Sequence, residues 1–87
     1  MIGEKEKTAM INRLARIEGQ LRGIQKMMAE DVPDCEKVAQ QMSAARKALD
    51  KAGHTMLACM VEAHVRAGEN GEESALDDLG QLISKYA

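Results

Sequence analysis

One stretch of this chain leaves its fold little freedom. Apolar side chains recur at Val38, Met42, Ala45, Leu49, Ala52, Met56, Cys59 and Ala63, a spacing of 4, 3, 4, 3, 4, 3, 4 that Cys35 begins. Residues three and four apart share a face only on an α-helix. A heptad sustained over this length predicts one helix, about 34–67, packed along its whole extent. Such a helix is roughly 50 Å long. An 87-residue chain keeps only two shorter segments with which to cover it. Pairing with a second copy through this helix is the natural solution, and an antiparallel pair generates two equivalent environments related by a two-fold axis.

The flanking segments read as helices too. Met10, Leu14, Ile17, Leu21, Ile24 and Met28 form one stripe of a helix over 4–30. Gly19 and Gly23 interrupt it, each at a cost of about 1 kcal/mol relative to Ala; close backbone packing is the expected reason. Asp31-Val32-Pro33-Asp34 breaks the chain, with Asp31 or Asp34 able to cap the next helix and Pro33 suited to its first turn. Gly68-Glu69-Asn70-Gly71 supplies stop and turn residues. Leu76, Leu79, Ile83 and Tyr86 then outline a short third helix, about 72–86. Tyr86 is the one aromatic residue, which argues against a sheet fold. The expectation is a single all-α domain over 1–87, a three-helix protomer in an antiparallel dimer with a four-helix-bundle-like core.

No apolar run is long enough to cross a membrane, and the N-terminus lacks a signal-peptide core, so a cytoplasmic protein is expected. Two cysteines in a reducing compartment act as ligands, sensors or core residues rather than as a structural disulfide. Net charge is −2, yet it is unevenly spread. Residues 5–26 carry six cations against Glu6 and Glu18, whereas residues 52–87 carry Arg66 and Lys85 against six carboxylates. Arg13, Arg16 and Gln20 lie on one side of the first helix, and Arg46, Lys47 and Lys51 near the middle of the second. Together they outline a surface for phosphates. A solvated protein surface is the ordinary alternative. No helix-turn-helix, phosphate loop, paired catalytic carboxylates or nucleophile–base pair is evident, so an enzyme is not expected.

Cys35, Cys59, Met60 and His64 are the metal-ligand side chains that stand out. Met60 and His64 share a helix face one turn apart. A straight helix separates Cys35 from His64 by roughly 43 Å, so a site using both needs a second chain. Thiolate, thioether and imidazole form a soft set suited to Cu(I), while Zn(II) or Ni(II) fits the same ligand types. Each residue also has an ordinary role: Cys59 and Met60 as packing, His64 as a complement to the helix dipole, His54 as a surface residue.

The runs Arg13-Leu-Ala-Arg16-Ile-Glu-Gly19-Gln-Leu-Arg-Gly23-Ile, Cys35, and Gln41-Met-Ser43-Ala44-Ala-Arg46-Lys-Ala-Leu49-Asp-Lys resemble the CsoR/RcnR family of bacterial repressors. The resemblance covers nearly the whole chain. It implies an all-α protein without a helix-turn-helix, a dimer usually paired into a tetramer, and release from double-stranded operator DNA when an effector binds. Family members sense Cu(I), Ni(II) or Co(II), formaldehyde, or reactive sulfur species. The resemblance assigns sensing to Cys35, Met60 and His64, and DNA contacts to Arg13, Arg16 and Arg46; Lys47 is added from its charge. Copper sensors carry Cys, His, Cys at the three sensing places, and nickel/cobalt sensors Cys, His, His with an N-terminal ligand. Formaldehyde sensors pair Cys and His with an N-terminal proline, and persulfide sensors keep Cys at the first and last places. This chain has Cys, Met, His, with Cys59 one residue before the middle place.

Three readings follow. The favoured one is a Cu(I)-responsive repressor using Cys35 of one protomer with His64 and Met60 or Cys59 of its partner. A second keeps the fold and makes Cys35 and Cys59 a thiol pair that senses persulfide or oxidants. A third is a helical adaptor with no DNA role.

Overall fold

The computed structural model describes residues 3–71 and 74–87, the side chain of Leu76 excepted. Three helices account for the described chain: α1 (Glu4–Met28), α2 (Cys35–Glu69) and α3 (Ser74–Tyr86). The described residues contain no strand. None of these helices is long and apolar enough to cross a membrane. The expected start of the third helix at 72–73, and the packing expected of Leu76, fall outside the described residues.

Capping chemistry sets the limits of α2. The Asp34 carboxylate accepts a hydrogen bond from the Lys37 backbone N–H at 3.2 Å, and the Asp34 carbonyl accepts the first helical bond from Val38 N–H at 3.0 Å. Asp34, not Asp31, is therefore the N-cap. Pro33 stands just before that cap rather than in the first turn, and bends at residues 30–32 lead into it. At the other end Gly68 remains helical. Gly71 takes the left-handed conformation, with φ of 93°, which glycine adopts without a Cβ penalty.

The described chain divides into two compact units, one spanning Glu4–Ala52 and the other Gly53–Ala87 with Gly3. In the first, α1 packs on the N-terminal half of α2. Ile17, Ile24, Val38, Ala45 and Ala52 are buried, and Ile24 clusters with Val38, Ala45 and the half-buried Met27. The expected stripes are thus covered only in part. Leu14, Leu21 and Met28 on α1, and Met42 and Leu49 on α2, stay between 39% and 53% exposed. One neighbouring helix covers a narrow band, and the apolar stripe is wider than that. In the second unit Ala75 of α3 is buried, while Leu57, Cys59, Met60, Val61 and His64 of α2 are half-buried.

The glycines of α1 correct one expectation. A Cβ built at Gly19 or Gly23 meets nothing within 4 Å. Close packing inside the protomer does not explain either residue.

Candidate metal centre and nucleic-acid interface

Cys35 is the first helical residue of α2, directly after the Asp34 cap. Its side chain is exposed, and its Sγ lies 4.0 Å from the Pro33 carbonyl oxygen. A thiol held at a capped helix start faces solvent with a fixed backbone direction. Cys35 is therefore not part of the protomer's core.

Met60 and His64 lie on the C-terminal part of α2. His64 Nδ1 sits 2.9 Å from the Met60 carbonyl oxygen. A carbonyl only accepts, so Nδ1 is the donor in this contact and the ring is held by the backbone; Nε2 is the ring nitrogen this contact leaves unused. Half-buried Met60 lines an apolar hollow with Gly53, Met56, Leu57 and Tyr86, whereas His64 lines a polar one with Ser74, Ala75 and Asp78. Cys59 is half-buried and makes no disulfide. His54 is exposed, as its position off the stripe predicts.

Among the described residues, no three His, Cys, Asp or Glu side chains converge on one point. The donors Cys35, Met60 and His64 belong to one continuous helix, with 35 residues from end to end. Cys35 belongs to the first compact unit, and Met60 and His64 belong to the second.

The basic residues separate into two places. Arg13 and Arg16 of α1 and Lys51 of α2 line one groove with Gln20, Ile17 and Ala48. No carboxylate lines it, and neither arginine forms an ion pair among the described residues. Arg46 stands elsewhere, beside the apolar groove formed by Ile17, Leu21, Ile24, Met42, Ala45 and Leu49. Lys47 is exposed and lines neither groove. Positions 46 and 51 differ by five residues, about 140° around a helix. Charge counting along the sequence does not show that difference, and helical angle does.

The profile of the metal-sensitive transcriptional repressor family matches residues 6–85. The copper-sensing transcriptional repressor CsoR of Bacillus subtilis (strain 168) is 34% identical over 87 residues, covering 94% of this chain and 82% of that protein. No solved structure matches this chain.

Proposed function

Because the chain belongs to the metal-sensitive transcriptional repressor family, whose members are regulators and not enzymes, we propose that it is a cytoplasmic, DNA-binding repressor released by Cu(I). Its working form in this reading is a homodimer paired further into a tetramer. The effector is held between protomers by Cys35 of one chain and by His64, with Met60 or Cys59, of its partner.

One observation carries the reading. Cys35, Met42, Leu49, Met56 and Ala63 recur every seven residues along α2, and all five are exposed. Leu49 is the midpoint of this series. An antiparallel pair with its two-fold axis at Leu49 sets Met42 against Met56 of the second chain, and Cys35 against position 63 of the second chain. Cys59, Met60 and His64 surround position 63 within one turn. The series that would bury the apolar residues is the one that would bring the soft donors together. It does so twice, once at each end of the pair.

The donor set fits the metal. Thiolate and thioether are soft, imidazole is borderline, and such ligands favour Cu(I) over hard cations. The same chemistry places Ni(II), Co(II) and Zn(II) as weaker competitors for this set. The 34% identity to a copper sensor supports the same choice.

On the DNA side, Arg13, Arg16 and Lys51 present cations to phosphates along one groove, with Lys47 adding charge nearby. Arg46 borders the apolar flank, so its contribution depends on assembly. Ligation by two protomers ties the start of one α2 to the far part of the other and changes the spacing of the two arginine grooves. To move operator occupancy from almost full to almost empty, the effector must prefer the released state by about 5.5 kcal/mol, a factor of roughly 10⁴.

Titration of the reduced protein with Cu(I) against a competing chelator, with release of a labelled promoter duplex followed in parallel, tests this function. One tight Cu(I) per protomer, lost in Cys35→Ser together with release, is the expected result. Tighter binding of Ni(II) or Zn(II) than of Cu(I) would replace the effector. A covalent dimer formed on sulfide or peroxide treatment, together with release and no copper response, would replace it with the thiol chemistry of Cys35 and Cys59.

A further inference from the structure

The cationic groove beside Arg13 and Arg16 does not stop at Gln20. Gln20 also lines a second stretch between α1 and α2, which runs past Gly19 and Gly23 to Met27. On the α2 side this second stretch is walled by Lys37, Gln40 and Gln41. Among the described residues, no carboxylate lines either stretch. Lys37 forms no side-chain ion pair among the described residues.

The glycines are the unusual part of this wall. Both sit inside α1, where glycine is among the poorest helix formers. Both are exposed, and a Cβ at either would meet nothing within 4 Å. Nothing inside the protomer asks for glycine at these two places. What the missing Cβ atoms supply is clearance on the outer side of the α1 backbone.

We propose that this second stretch receives the sugar-phosphate backbone of the bound duplex, continuing from the Arg13 and Arg16 contacts. Gly19 and Gly23 give the strand clearance against α1, and the amides of Gln20, Gln40 and Gln41 donate hydrogen bonds to phosphate oxygens. The inference rests on the DNA-binding reading above and extends it. Charge complementarity selects the occupant, since a groove with cations and amide donors but no carboxylate suits a polyanion. A second copy of the chain has the apolar groove on the opposite flank to occupy. Contacts of this kind position the protein on the duplex without reading its bases, so a mixed-sequence duplex reports them.

The test uses the full chain and a labelled mixed-sequence duplex of about three helical turns, roughly 30 base pairs. Affinity is measured by anisotropy across a salt series, alongside thermal melting and sedimentation. The double variant Gly19→Ala, Gly23→Ala should melt a few degrees higher than the unaltered protein, because alanine is the better helix former. It should nonetheless bind the duplex roughly 10-fold more weakly, since interface losses of this order follow from one displaced contact. Gln41→Ala should weaken binding a few-fold with an unchanged salt slope, being neutral. Lys37→Ala should lower the slope by about 0.9, the value for one phosphate contact. Unchanged affinity in the double glycine variant overturns the proposal, and so does a lower melting temperature, which would make the glycines a requirement of the fold. A changed assembly state in that variant puts a second copy in the groove and overturns it as well. Absence of salt-dependent duplex binding by the unaltered protein is a different result. It removes the DNA-binding reading itself, and this inference with it.

Discussion

The two flanks of the α1–α2 pair carry opposite chemistry. On one side Leu21, Met42 and Leu49 leave an apolar groove open to solvent, with Arg46 at its edge. On the other side Arg13, Arg16, Gln20 and Lys51 line a groove without a carboxylate. Both flanks are built from the same two helices, and only the angle around each helix separates them. A leucine about half exposed is unremarkable alone; Leu21, Met42 and Leu49 together make a contiguous apolar groove, the kind of surface on which the proposed pairing of two copies would rest. The contrast teaches that one pair of helices can present an apolar and a cationic groove side by side, as the proposed self-pairing and DNA contact would need, with Ile17, at the seam, lining both grooves.

The most severe way to break this contrast is to charge the apolar flank. Leu49→Glu puts a carboxylate at the midpoint of the exposed heptad, where two copies would meet at the two-fold axis. Sedimentation should show loss of the dimer, with copper binding and duplex binding both reduced by 100-fold or more, since a buried unpaired charge costs several kcal/mol. A dimer that survives this change would place the assembly surface elsewhere. On the polar flank, Arg13→Ala combined with Arg16→Ala should leave the dimer intact. It should lower duplex affinity by about 10-fold or more at moderate salt and reduce the salt slope by about 2, as two phosphate contacts are lost. Equal duplex binding by this variant would remove the physical basis of the repressor mechanism. Lys47, which lines neither groove, sharpens the contrast at its weak end. Lys47→Ala should change affinity by about a factor of 2, through long-range attraction alone, and a larger effect would show that the DNA surface extends beyond the groove.

Much of the fold was legible in the sequence. Helix positions followed from the 3–4 spacing, and the ends of α2 to within about two residues from the Asp31/Asp34 pair, of which Asp34 is the cap, and from the glycine-rich turn closed by Gly71. What the spacing does not reveal is which half of a heptad stripe one's own chain will cover. Val38, Ala45 and Ala52 are buried while Met42 and Leu49 are not, because α1 is a single narrow neighbour. The glycines of α1 show the same gap from the other side. Gly19 and Gly23 suggest close packing as residue types, but the open space around them turns attention outside the protomer. Of the candidate site, the residue types and their distance apart were readable. The exposure of Cys35 and the contact of His64 Nδ1 with the Met60 carbonyl were not, since both depend on backbone positions at helix turns. Arg46 and Lys51 read as one basic cluster along the chain and lie on different flanks in space.

The central claim is that the sensing site is shared between two copies, with Cys35 from one and His64 from the other. A subunit-mixing measurement tests it most directly. Cys35→Ser and His64→Ala are prepared separately, mixed in equal amounts, allowed to exchange, and titrated with Cu(I) against a competing chelator. Each variant alone should lack the tight site. In a mixed dimer one site joins the intact Cys35 of one chain to the intact His64 of the other, while the second site is doubly damaged. Random exchange makes half the dimers mixed, so roughly one quarter of the unaltered protein's tight copper should return. A site contained within one chain would stay lost after mixing, and that result would contradict the account.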